Sequence, residues 1–92
     1  MSLNTAFLLM AQYNGRAIIP LAEVCRDYFS HLTPENMLRK VLGGTIDIPI
    51  TRIDSSQKSA RGVHLQDLAD YIDERRARAL RENAQLKNAG PD

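Results

Sequence analysis

The spacing of hydrophobic residues changes period along the chain, and each change marks an element. Asn4 to Tyr13, NTAFLLMAQY, is apolar nearly all round and rich in the helix formers Ala, Leu, Met and Gln. Asn4 or Thr5 can cap its start and Asn14-Gly15 can end it. A rival reading puts a strand through Tyr13, a type I′ turn at Asn14-Gly15 and a return strand from Arg16 to Ile19. The composition favours the helix. Its all-round apolarity predicts burial, on its own domain or against a second copy. Ala17-Ile18-Ile19 is a short strand candidate. Pro20 then opens a helix from Leu21 to about Phe29, in which Leu21, Val24, Cys25, Tyr28 and Phe29 form one amphipathic stripe. After Ser30, His31 and Leu32, with Leu32 expected to plug the corner, a second short helix follows.

That second helix, in TPENMLRKVLGG, has the clearest boundaries. Thr33 is a good N-cap, Pro34 fits the first helical position, and Gly43-Gly44 supplies a left-handed stop. Met37, Leu38, Val41 and Leu42 fall on one face at helical spacing. Asn36, Arg39 and Lys40 fall on the other, beside Glu35. Two short amphipathic helices joined by about four residues are a helix-turn-helix pattern. Beyond Gly44 the period becomes two. Ile46, Ile48 and Ile50 alternate with Asp47, Pro49 and Thr51, and Arg52-Ile53 continue, which predicts a strand with an edge or bulge at Pro49. The polar run DSSQKSARG (54–62) is a loop, and Val63-His64-Leu65 is the return strand. A hairpin with a polar tip after a helix-turn-helix is a wing. The last helix starts near Leu65, with Leu68, Ala69 and Ile72 as its stripe and Tyr71 alongside. Beyond about Ala77 the stripe thins to Ala79, Leu80 and Leu86, so the helix is expected to fray or to pair with another copy. Asn83 to Asp92 reads as a loose tail. The predicted fold is mainly α with a small β-hairpin, a winged helix-turn-helix in one domain over residues 1–82.

Ninety-two residues, 43% hydrophobic and 25% charged, suit one small globular domain. The apolar run from Ala6 to Ala11 is too short to span a membrane and lacks a basic n-region, so no signal peptide is expected. One cysteine allows no internal disulfide and fits a reducing cytoplasm. Cys25 lies on an apolar stripe, which makes it a small buried hydrophobe rather than a nucleophile. Net charge is only +1, low for a nucleic-acid-binding domain. The distribution is uneven, however: residues 34–64 carry five cations and three anions, residues 65–74 four anions and no cation, and residues 75–92 five cations and two anions. A local basic surface is therefore available on a near-neutral chain.

Candidate chemistry follows from these faces. Arg39 and Lys40 can pair with phosphates or guanine edges, and Asn36 can pair bidentately with adenine. Gln57, Lys58 and Arg61 on the hairpin suit phosphate or minor-groove contacts. The alternative for each is an ordinary solvated face. The acidic first half and arginine-rich second half of the last helix complement the helix dipole, so its carboxylates need no catalytic or metal-binding role. The two histidines lie far apart in sequence, and no glycine-rich phosphate loop or catalytic triad stands out. No metal, cofactor or enzymatic activity is expected.

The segments NTAFLLMAQYNGRAIIPLAEVCRDYFSHLTPENMLRKV and SQKSARGVHLQDLADYID resemble the pyocin activator family of PrtN-type regulators, from about Asn4 to Arg76. The order of elements also looks, more loosely, like the excisionase and MerR-like winged-helix group. The resemblance implies a bacterial transcription activator that binds promoter boxes and switches on bacteriocin genes in a DNA-damage response. It implies no catalytic residue. By position it would make the Asn36, Arg39, Lys40 helix the recognition helix, and Gln57, Lys58 and Arg61 the wing contacts. The expected partners are double-stranded DNA and a second copy of the chain, with RNA polymerase a further candidate. The alternatives are an excisionase-like architectural factor and a protein-interaction adaptor that binds no DNA.

Overall fold

The computed structural model of the chain describes residues 3–56 and 59–89. Among these residues the chain is mainly helical, with one small antiparallel sheet. In order, helix α1 (Thr5–Gln12) is followed by strand β1 (Ile18–Pro20), helices α2 (Leu21–Tyr28) and α3 (Pro34–Leu42), strands β2 (Thr51–Arg52) and β3 (Arg61–His64), and helix α4 (Leu65–Ala89). The strand order is β1-β3-β2, so the last strand in the chain is the central one. Ile19 pairs with Val63 and Pro20 with Gly62 on one side of β3, and Thr51 pairs with Gly62 on the other. Gly62 is required there by space rather than by turn geometry. A Cβ on it would lie 2.4 Å from the Ile19 carbonyl oxygen.

The helix boundaries have local causes. Asn4 caps α1 by accepting from the Phe7 N–H (3.2 Å). α1 ends in a left-handed Asn14 (φ 56°), and the Gly15 N–H donates back to the Met10 carbonyl (2.8 Å). That is a Schellman closure, and it decides for the helix over the rival hairpin. α3 stops in the same way: Gly44 is left-handed (φ 81°) and the Thr45 N–H donates to the Lys40 carbonyl (2.9 Å).

One core joins the elements. Leu9 and Tyr13, Ile19, Leu21, Val24 and Cys25, Met37, Val63, Leu68 and Ala69 are all buried in it. Leu32 closes the corner between α2 and α3 from a half-buried position, as expected. Phe29 and Tyr71 link α2 to α4, with ring centroids 5.7 Å apart.

Four expectations need correction. α1 is not buried all round: Leu9 and Tyr13 face the core, while Phe7, Leu8 and Met10 are exposed. Leu42 is 78% exposed rather than part of the inner face of α3. At 3.6 residues per turn it points about 140° away from Met37, the buried residue of α3. The strand expected over Ile46–Ile53 narrows to β2. Burial does alternate there, with Ile46 and Ile48 buried and Asp47 and Pro49 exposed. Pro49, however, has no N–H to donate, and the Ile48 N–H turns back to the Ile46 carbonyl (3.1 Å). The loose tail expected from Asn83 is instead helical through Ala89. Ala84, Gln85, Leu86, Lys87 and Ala89 in that stretch favour helix, and Gly90 and Pro91 follow it.

Candidate functional site

α3 is held as a rigid platform. Thr33 Oγ1 accepts from the Asn36 N–H (3.2 Å), and Pro34 sits at the first helical position. Beneath, Met37 is fully buried against α2, where the Cys25 thiol donates to its sulfur (3.3 Å). Burial pushes the Cys25 thiol up from its ordinary range, which keeps it protonated and unreactive, as its place on the apolar stripe predicted. With one face of α3 fixed in this way, Asn36, Arg39 and Lys40 project from the opposite, exposed face. None of their side chains has a hydrogen bond or ion pair among the described residues. The three side chains are thus gathered on one short helix with their polar groups unused.

The hairpin contributes a second cationic position. Arg61 is half-buried at the start of the central strand. Its cross-strand partner is Arg52. Directly opposed residues of an antiparallel pair lie on the same face, and like charges there repel. An anion laid across the pair would relieve that repulsion. Arg52 was not singled out from the sequence. The signal that could have found it is the hairpin register, which sets residues 52 and 61 opposite one another once Thr51 is paired with Gly62. Arg52 also donates to the Ser56 carbonyl (3.4 Å). The loop is braced by the Ser56 N–H on Asp54 Oδ1 (2.6 Å) and the Asp54 N–H on Ser59 Oγ (3.0 Å). Gln57 and Lys58, the other hairpin candidates, lie outside the described residues.

α2 presents charges of a different kind. Arg16 grips Glu23 with two hydrogen bonds (2.8 and 2.7 Å), donates through Nε to the Tyr13 carbonyl (3.1 Å) and lies over the Tyr13 ring. Arg26 grips Asp27 (2.8 and 3.1 Å), and the Tyr13 hydroxyl donates to Asp27 Oδ2 (2.7 Å). The Arg26 guanidinium and then the Tyr13 hydroxyl hold the Asp27 carboxyl down at about 2. Burial, and then the bond to Asp27, push the Tyr13 phenol well above its ordinary range. These groups tie the α1–β1 turn to α2 and are spent on one another.

No group of three or more His, Cys, Asp or Glu side chains among the described residues could hold a metal ion. No helix among them is long and apolar enough to cross a membrane. Together these features define a small helical protein that offers exposed, unpaired cations on a braced helix and two opposed arginines on a hairpin.

The chain belongs to the family described as pyocin activator protein PrtN, whose model matches residues 5–79. The match covers α1 through the first half of α4, and so takes in α2, α3 and the hairpin. It is a family of transcriptional activators, regulators of pyocin genes, and not an enzyme class. No curated protein and no solved structure matched the chain.

Proposed function

We propose that this protein is a winged helix-turn-helix activator that binds double-stranded DNA at pyocin promoters. α2 and α3 form the helix-turn-helix and the β2–β3 hairpin forms the wing. The observation that carries the reading is the outward face of α3, in a chain whose family regulates pyocin genes. Asn36, Arg39 and Lys40 are exposed and unpaired on a helix whose other face is locked by Met37. A helix of this length fits a major groove, where Arg39 and Asn36 would read base edges and Lys40 would hold a phosphate. Arg61 and Arg52, with Lys58, would neutralise backbone phosphates from the wing and fix the register of α3 without reading sequence. Work on DNA places the protein in the cytoplasm, which suits its single buried thiol. Two copies on one site would supply the contacts that one small domain lacks, and RNA polymerase is the further partner that activation calls for.

The test is fluorescence anisotropy of a labelled pyocin promoter fragment and a scrambled duplex, at low and near-physiological salt. A promoter preference of about tenfold or more at the higher salt is the expected result. Equal binding that vanishes with salt would leave only basic-surface attraction and refute sequence-specific recognition.

A further inference from the structure

The buried stripe of α4 does not stop where the body of the protein stops. Leu65, Leu68 and Ala69 are buried and Ile72 is half-buried. Ala79, Leu80 and Leu86 prolong the same side of the helix, and all three are exposed. Residues 78–88 are exposed without exception. At 1.5 Å per residue α4 is about 37 Å long, so nearly its last half stands clear of the core. A short, fully solvated helical end is marginal by itself, and its helicity calls for a partner.

Beside the point where α4 leaves the body lies a mostly apolar cleft of about 600 Å3 between α1 and α4. Leu3, Leu8, Leu9, Tyr28 and Ile72 line it, together with polar residues that include Thr5, Gln12, Asp73 and Arg76. Leu3 is 81% exposed and Leu8 53%, so its walls are open.

We propose that the cleft is filled by the projecting end of α4 from a second copy of this chain, as an antiparallel α4–α4 pair about a two-fold axis at Ala79. In this arrangement Leu86 of each copy seats on Ile72 of the other, beside Leu8. Arg76 of each faces Glu82 of the other, and the two Ala79 residues meet at the axis. A two-fold interface repeats every such contact, so one match is made twice.

Three observations choose this occupant and this direction. Ile72, Ala79 and Leu86 recur at intervals of one heptad and so lie along one side of α4, where a second helix can run beside them. The small Ala79 at the crossing lets the two backbones come close. A parallel, in-register pair would stack the run Arg75, Arg76, Arg78 and Arg81 against itself, whereas the antiparallel pair sets Arg76 against Glu82. Neither Arg76 nor Glu82 has an ion pair among the described residues, so both are available. A stable interface hides about 800 Å2 on each partner, an area that draws on the α1 cleft as well as on the helix end. The association needs no DNA and stands whether or not α3 reads it.

Sedimentation equilibrium of the full chain without DNA tests this. The wild type is expected to be a dimer at micromolar concentration. Leu86→Glu removes two seated leucines per dimer and raises the dissociation constant by about tenfold or more. Circular dichroism checks that this exposed substitution leaves the fold intact. Arg76→Glu and Glu82→Arg each weaken the dimer by about five- to tenfold, and the double reversal restores it. Ala79→Cys closes a disulfide between copies on mild oxidation, because its partner across the axis is itself. Leu86→Cys does not, because it faces Ile72. Buried Cys25 stays out of the reaction. A wild type that is monomeric throughout, or efficient cross-linking through Leu86→Cys without Ala79→Cys, overturns the proposal.

Discussion

α2 and α3 are neighbouring helices of eight and nine residues, each with one buried stripe and one charged outer face. The charges on the two outer faces behave differently. On α2, Glu23, Arg26 and Asp27 are engaged by one another and by Arg16 and Tyr13. On α3, Arg39 and Lys40 have no partner among the described residues. The same residue types therefore do structural work on one helix and stand available on the other. Charge content alone does not mark a binding face. What sets the proposed binding face apart is cations held on a braced backbone without a partner of their own among the described residues.

The largest expected effect removes the brace. Met37→Ala empties a fully buried position between α2 and α3 and should cost about 2–5 kcal/mol of stability, read as a shift in the denaturant midpoint. If Met37 only packs the inner face of α3, DNA affinity per folded molecule should change little. A large loss of stability together with an unchanged midpoint for DNA binding, measured where the variant is still folded, would sharpen the division between packing face and binding face.

Arg39→Ala should do the opposite. It touches no partner in the free protein, so stability should stay within about 0.5 kcal/mol of the wild type. Binding to the promoter should weaken by about 1–3 kcal/mol if Arg39 reads a base. Unchanged promoter affinity would remove the contrast between the two helices. A smaller change is expected from Arg61→Ala. Loss of one phosphate contact weakens promoter and scrambled DNA alike and lowers the slope of log affinity against log salt by about 1. It should also relieve the Arg52–Arg61 repulsion in the free protein. A loss confined to one base position would contradict a backbone role.

The helical corner was legible because its signals are local. Thr33, Pro34 and the Gly43-Gly44 pair set α3 by capping chemistry that needs no tertiary information, and all three act as expected. Asn36, Arg39 and Lys40 lie on the exposed face that their spacing required. Signals that depend on neighbours were less complete. α1 is apolar on every side, so its pattern could not say which side meets the core or that Phe7, Leu8 and Met10 stay exposed. The Ile46–Ile50 alternation foretold burial but not pairing, since a missing Pro49 donor and a backward turn at Ile48 are backbone matters. Arg52 escaped notice because its importance arises from register with Arg61. The helical end from Asn83 reads as loose in sequence because it has no core to face and two asparagines interrupt its helix formers.

The smallest expected effect tests the paired side of the comparison. Asp27 is held at about 2 in the folded protein, against an ordinary aspartate value of about 3.9. A folded pKa below the unfolded one means that the charged form is favoured by folding. The stabilisation is therefore complete above about pH 4 and drains away as pH falls towards 2. Glu23 is lowered in the same direction by the Arg16 bonds and adds to the slope. Asp27→Asn cannot titrate, yet its amide oxygen can still accept from the Tyr13 hydroxyl. The variant should be somewhat less stable at neutral pH, and its thermal midpoint should fall less steeply than the wild type between pH 4 and pH 2. Arg39→Ala, on the unpaired helix, should run parallel to the wild type over the same range. An Asp27→Asn curve as steep as the wild type would mean that the α2 charges contribute no more to the folded state than the α3 charges do, and the distinction between spent and available cations would then fail at its structural end.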